Sequence, residues 1–386
     1  MSRPFYLFPL FFCLSLLAFM DARAAEYTVT PSVSLRETYD DNIFFRNVDD
    51  FEHLISSGLG LGIRTETSEI QASGTWDISE YQRHDELDTV DQTYGLSAGL
   101  TPGPLWRFDF MGEFRDDYTF VSALEESGVL AESSRRKRVQ LQPSATMVVD
   151  SRNRVELSYD FTKVQYRLES YPDYRVQGAS LVWQHDLMNE RTTVLCSLGG
   201  NYVDFEASGG DVKQQTYRVL AGIDHKFTET LQLTFMVGPR FTESEFPRGG
   251  ATVDDDETGA IADATLDWRL ERLHFSVNAN RDITQSIYSE NITRDRLRLE
   301  LMYRFTEKLR SNLSTAYYES ETDGFIDDQK RQTCSVRPSV AYRLTKDLDL
   351  RVGYAYTWTE NELTGHSEER NRVFAELSLR WPIIIN

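Results

Sequence analysis

The segment Arg296-Leu297-Arg298-Leu299-Glu300-Leu301-Met302-Tyr303-Arg304-Phe305 alternates without a break. Leu297, Leu299, Leu301, Tyr303 and Phe305 fall on one face; Arg296, Arg298, Glu300, Met302 and Arg304 fall on the other. A period of two belongs to a strand, because a helix would scatter these charges around its whole circumference. The same alternation runs through 154–161, 231–241 and 347–358. A face this charged argues against a soluble β-sandwich, whose strands are shorter and packed on two sides. It costs little where the charged face meets a water-filled lumen and the apolar face meets lipid.

The connections between such segments alternate in length. Short ones rich in turn formers lie at 66–68, 102–104, 150–151, 188–189, 228–230, 270–272, 306–308 and 345–347. Between them come longer polar loops at 40–51, 83–90, 123–134, 209–212, 247–257, 321–329 and 361–369, with tighter ones at 170–173 and 289–291. Short turns at one end and long loops at the other point to an up-and-down antiparallel transmembrane β-barrel with periplasmic turns and extracellular loops. Counting hairpins, with a first strand from Tyr27 and a last one ending at Trp381, predicts about eighteen strands and puts both termini on the short-turn side. No linker or low-complexity tract interrupts the series, so one barrel domain is expected over 25–386.

Residues 1–24 read as a secretory signal peptide: Arg3, an apolar stretch from Phe5 to Met20, and Ala22-Arg23-Ala24 as the cleavage site. The remaining cysteines, Cys196 and Cys334, are too few for a disulfide framework. A formal net charge of -20 argues against a basic nucleic-acid surface, and an aromatic content of 12% argues against disorder. Beyond the N-terminus no apolar run is long enough for a transmembrane helix.

Aromatic residues precede acids near the long-loop ends, as in Tyr39-Asp40-Asp41, Phe241 before Glu243, Tyr317-Tyr318-Glu319, and Tyr356 and Trp358 before Glu360. This is the order of an interfacial girdle with charges beyond it. The acidic excess is expected in the long loops, with Asp254, Asp255, Asp256 and Glu257 in one and Glu360, Glu362, Glu368 and Glu369 in another. Candidate lumen-facing residues are Arg296, Arg298, Glu300, Arg304, Arg351, Arg218, Arg107 and Arg115. The stripe Arg296, Arg298 and Arg304 either guides an anionic solute or polymer, since guanidinium holds carboxylates by paired hydrogen bonds, or braces the wall through ion pairs. No metal-ligand histidine pair or nucleophile elbow occurs, so neither an enzyme nor a cofactor is expected.

The mature start, and above all Glu37-Thr38-Tyr39-Asp40-Asp41-Asn42-Ile43, resembles the opening of the putative beta-barrel porins of the second type, outer-membrane proteins of Gram-negative bacteria. That resemblance implies a place in the outer membrane among lipid and lipopolysaccharide, insertion by the barrel-assembly machinery, and, because such proteins often accompany exopolysaccharide export clusters, a conduit for a secreted polysaccharide working with periplasmic export components. A general diffusion porin and a structural or adhesive barrel with a plugged lumen are the other readings. One departure is the C-terminus, where Trp381 is followed by Pro382-Ile383-Ile384-Ile385-Asn386 rather than ending the chain on an aromatic residue.

Overall fold

A computed structural model describes residues 25–119, 134–168, 171–206, 210–248, 251–285, 291–322 and 329–385. The expected signal peptide, and most of the loops at 123–134, 289–291 and 321–329, lie outside the described residues. The strands are β1 (Glu26–Asp40), β2 (Asp50–Arg64), β3 (Ser68–Tyr81), β4 (Thr89–Gly103), β5 (Trp106–Tyr118) and β6 (Arg135–Val148). Next come β7 (Asn153–Tyr166), β8 (Asp173–Asp186), β9 (Thr192–Glu206), β10 (Val212–Lys226), β11 (Leu231–Arg248) and β12 (Ala251–Arg269). The series ends with β13 (Leu273–Gln285), β14 (Asn291–Arg304), β15 (Leu309–Thr322), β16 (Gln329–Arg343), β17 (Leu348–Asn361), β18 (His366–Arg380) and the short β19 (Ile383–Ile385). From β1 to β18 each strand pairs antiparallel with the next, and β1 pairs with both β2 and β18, so eighteen strands close into a barrel.

Five of the eight short turns share one local chemistry. Thr65, Thr228 and Thr306 each accept, at the side-chain oxygen, the backbone N–H groups two and three residues ahead. Asp150 and Asn189 do the same with their carboxylate and amide oxygens. A side chain that satisfies two turn donors fixes the reversal without help from packing.

The hairpins run longer than a membrane crossing needs, because β11 and β12 stay paired out to Arg248↔Ala251. Asp254, Asp256 and Glu257, expected in a loop, therefore sit on a paired strand, as do Glu368 and Glu369 on β18. Beyond the lipid, ladder hydrogen bonds offset the entropy of fixing these residues, and the paired stretch shortens the loop that is left. At the C-terminus Ile383–Ile385 pairs with Tyr27–Val29 in the same register as β18, so the last strand continues past Pro382. The pair Pro31 and Trp381 keeps a single bond, from the Trp381 N–H to the Pro31 carbonyl, at 3.0 Å.

One face of the sheet is apolar and open: Val33, Leu35, Leu59, Leu61, Phe108, Leu297 and Val352 are all exposed. The opposite face is concave, because its side chains touch across strands that are not neighbours. Arg240 on β11 donates to Thr293 on β14 at 3.2 Å. One cavity is lined from Glu69 on β3 round to Arg218 on β10.

Candidate functional site

Alternation and register place polar side chains on this inner face. On β14 Arg296, Arg298, Glu300 and Arg304 lie opposite the exposed Leu297 and Tyr303. Arg296 donates through Nε to Asn280 at 2.8 Å, Arg298 reaches the Tyr318 hydroxyl at 3.4 Å, and neighbouring Arg294 pairs with Asp282 at 3.1 Å. Among the described residues Arg304 pairs with no carboxylate; it stands beside Arg310 in register, which itself pairs with Asp349 at 3.4 Å. The stripe is thus partly braced and partly open. Tyr318, grouped by sequence with the girdle, shares the inner face and is buried, whereas Tyr39 and Phe241 are exposed on the outer one. A Tyr-Tyr dipeptide in a strand must send its two rings to opposite faces.

Arg107 holds Asp109 with two nitrogens at 2.8 and 2.9 Å, and Arg115 pairs with Glu113 at 2.9 Å. Both contacts join residues two apart on one strand, so they flatten the side chains along the wall. Arg107, Asp109, Asp160 and Arg218 border a cavity of about 610 Å³ in which Met111 is 58% exposed. A methionine so open on the concave side marks space wide enough for water.

Several large inner side chains lie over a glycine directly opposite in register. A Cβ on Gly178 would stand 2.5 Å from the Asp160 carboxylate, on Gly199 2.9 Å from Arg218 Nε, and on Gly259 2.8 Å from Arg240 Nε. Each glycine lets its neighbour lie against the wall instead of standing into the lumen.

Charge is sorted around the barrel. The middle of the inner face on β14–β18 carries Arg296, Arg298, Arg337, Arg351 and Arg372 against Glu300 and Glu376. The middle of the face on β3–β7 carries Asp77, Asp91, Asp109, Glu113, Glu156 and Asp160 against Arg107, Arg115 and Arg138. Two walls of opposite sign set up a field across the lumen, since facing charges in a low-dielectric shell are poorly screened.

The loop after β1 turns inward over the cationic wall. Asn42 donates to the Glu369 carbonyl at 2.6 Å, and the Asp41 carboxylate accepts the backbone and side-chain N–H groups of Asn371 at 2.6 and 2.7 Å. Phe44 stands between the Arg370 guanidinium, 5.7 Å from its ring, and Tyr81, 6.4 Å between ring centroids. Arg370 and Tyr81 lie on β18 and β3, a span that only the concave side can bridge. Phe44, Phe45 and Asn47 hold positive φ of 56°, 57° and 56°, a conformation that costs side chains energy and persists only where surrounding contacts fix it. The far end of this loop is tied by Arg83, which bonds Asp49 at 2.8 Å and Asp50 at 3.3 Å. Hydrogen bonding and the positive charge of Arg83 hold the Asp49 carboxyl below the usual aspartate range. Burial raises Asp50, but the N–H groups of Arg83 and Phe51 and the Arg83 guanidinium outweigh it and leave that carboxyl low as well.

Among the described residues no three His, Cys, Asp or Glu side chains gather as a metal site. Cys196 and Cys334 are both free thiols.

No curated protein matches the chain. Among solved structures it is similar to the outer membrane protein OpdK of Pseudomonas aeruginosa, with 11% identity, 92% of this chain and 99% of that one covered, and a TM-score of 0.46. It is similar to OccAB3 of Acinetobacter baumannii at 10% identity, covering 93% and 99%, with a TM-score of 0.44. A third likeness, to the copper transporter OprC, has 10% identity and a TM-score of 0.49 and covers 87% of this chain but 62% of that one. Over residues 251–381, from the start of β12 to the residue after β18, the chain matches the family described as Putative beta-barrel porin 2, the same family that the opening phrase of β1 resembles.

Proposed function

We propose that this porin-like barrel is a passive conduit in the outer membrane and that its cargo is a polysaccharide in export. The observation that carries the channel is the concave polar face with its open cavity beside Met111. Support for the polysaccharide is narrower: the family resemblance, together with an inner wall rich in hydroxyl, amide and guanidinium groups that suit sugar hydroxyls. The barrel needs no catalytic group for this task, because a conduit works by shape and by the charge along its wall.

Single-channel recording of the purified chain in planar bilayers tests the reading. Steady conductance blocked by oligosaccharides, together with loss of surface polysaccharide when the gene is removed, is the expected result. Conductance without such block or loss points to a general diffusion porin. Absence of conductance from a folded barrel points to a lumen plugged by the inward loop after β1.

A further inference from the structure

We propose that the outer face of β6–β10, at its long-loop end, docks the phosphorylated head group of a glycolipid in the outer leaflet. Lys137, Lys163, Arg175 and Lys213 hold it. The proposal needs the barrel to sit in the outer membrane and needs no current through its lumen.

Alternation sends these four side chains outward. Lys163 shares a face with Leu157 and Tyr159, Lys213 with Tyr217 and Val219, Lys137 with Leu141, and Arg175 with Leu181, all of them exposed. Register then gathers the cations. Lys163 stands directly opposite Arg175, and only Asp204 on β9 separates Arg175 from Lys213. Lys137 lies one row further from the membrane, opposite Gln165. All four cations are exposed. Toward the membrane the next row holds Gln177 and Gln215, and the row after it Tyr159 and Tyr217. The Tyr217 hydroxyl donates to Gln215 at 2.8 Å and the Tyr159 hydroxyl to Gln177 at 3.4 Å. From lipid to water the order is therefore ring, amide, cation. That is the order in which a lipid presents its acyl chains, its linkage region and its phosphate.

Two cations directly opposite on an exposed ladder repel each other. Elsewhere on the long-loop end such charges are matched by acids: Arg281 pairs with Asp295 at 3.5 Å, and Lys330 with Glu319 and Glu362 at 3.4 and 3.1 Å. On β6–β10 the acids are engaged by the arginines. Asp204 holds Arg175 at 2.8 Å, and Asp116, the register partner of Lys137, is held by Arg135 at 2.7 Å. Among the described residues Lys137, Lys163 and Lys213 have no ion-pair partner. The patch has an edge at Lys213, which faces Glu245, the first of the outward acids Glu243, Glu245, Asp254 and Asp256 on the next hairpin. In a chain of net charge -20 this concentration of outward cations runs against the overall balance. An anion held at this height by its own lipid chains completes it, with lysines as point charges and Arg175 as a fork for phosphate oxygens.

The test uses the folded barrel in uncharged detergent micelles and titration calorimetry with bis-phosphorylated lipid A, the same lipid dephosphorylated, and inorganic phosphate. Binding of the phosphorylated lipid is expected, with at least about a tenfold loss when Lys137→Gln and Lys163→Gln are combined, as for two head-group contacts removed. Lys137→Arg with Lys163→Arg keeps both charges and should bind as the parent does. So should Lys330→Gln, whose lysine is already paired with acids. Heat-modifiable mobility on gels checks that each variant is folded. Equal binding of the dephosphorylated lipid would assign the affinity to the apolar wall, and equal affinity for inorganic phosphate would assign it to a free anion. Either result, no binding of the phosphorylated lipid by the parent, or equal binding by the folded double Gln variant, would overturn the proposal. Because binding is read without current, a barrel that docks the lipid but does not conduct would refute the conduit and leave this surface standing.

Discussion

Asp40 and Arg372 face each other across the β1–β18 seam, yet the Asp40 carboxylate is bound by Arg370, one step further along the strand. This diagonal choice does two things at once. It makes a buried ion pair at the place where the barrel closes, with Asp40 and Arg370 only 2% and 6% exposed. It also leaves Arg372, on the inner wall, without a hydrogen-bonded acid among the described residues.

The seam pair gives the first prediction. Asp40→Asn leaves Arg370 buried without its counter-charge, which costs roughly 3 kcal/mol or more for a broken buried pair. Urea unfolding in detergent micelles, followed by heat-modifiable mobility, should show that loss. Replacing both residues, as Asp40→Leu with Arg370→Met, should recover most of it, since no charge is then stranded.

Acid pH should loosen the loop after β1. Asp49 and Asp50 have carboxyls held below the ordinary value near 3.8, so their contribution is fully present above that value and fades as pH falls through the lowered ones. A fluorophore at Asn47→Cys, in a chain whose Cys196 and Cys334 are serine, should report an immobile loop at about pH 5 and a mobile one well below about pH 4. In Arg83→Gln the carboxyls return toward their ordinary values, and the transition should move to higher pH. An unchanged transition would show that Arg83 does not anchor the loop.

The glycines divide into two kinds. At Gly178 and Gly199 an added Cβ meets the ends of the Asp160 and Arg218 side chains, which can swing into the cavity. Gly178→Ala and Gly199→Ala should fold and lower the unit conductance. At Gly238 the Cβ would stand 1.8 Å from the Val219 carbonyl oxygen, a backbone atom that cannot swing away. Gly238→Ala should sharply reduce the yield of heat-modifiable barrel, and a normal yield would contradict this close approach of β11 to β10.

Much of this architecture is legible in the sequence because its causes are local. Alternation fixes the face of Arg296 and Leu297, and the Thr, Asp and Asn residues of the short turns mark where strands reverse. Partner choice is not local. That Arg36 meets Glu376 and Arg370 meets Asp40 depends on the register of strands far apart in sequence. The acids at 254–257 mislead because charge resembles a loop, while the hairpin simply stays paired beyond the lipid. The phrase Glu37–Ile43 shows its resemblance at once, but the inward turn of its loop comes from backbone conformations at Phe44, Phe45 and Asn47 that residue type does not announce.

The central claim is that the polar face lines an open, water-filled path. Conductance of two cysteine variants, in the chain without Cys196 and Cys334, tests it most directly when a charged, membrane-impermeant thiol reagent is added. Met111→Cys lies on the cavity wall and Leu297→Cys on the apolar outer face. The account predicts a stepwise change of current for Met111→Cys and none for Leu297→Cys. A folded barrel that carries no current, or one in which the reagent acts at Leu297→Cys and spares Met111→Cys, would contradict it.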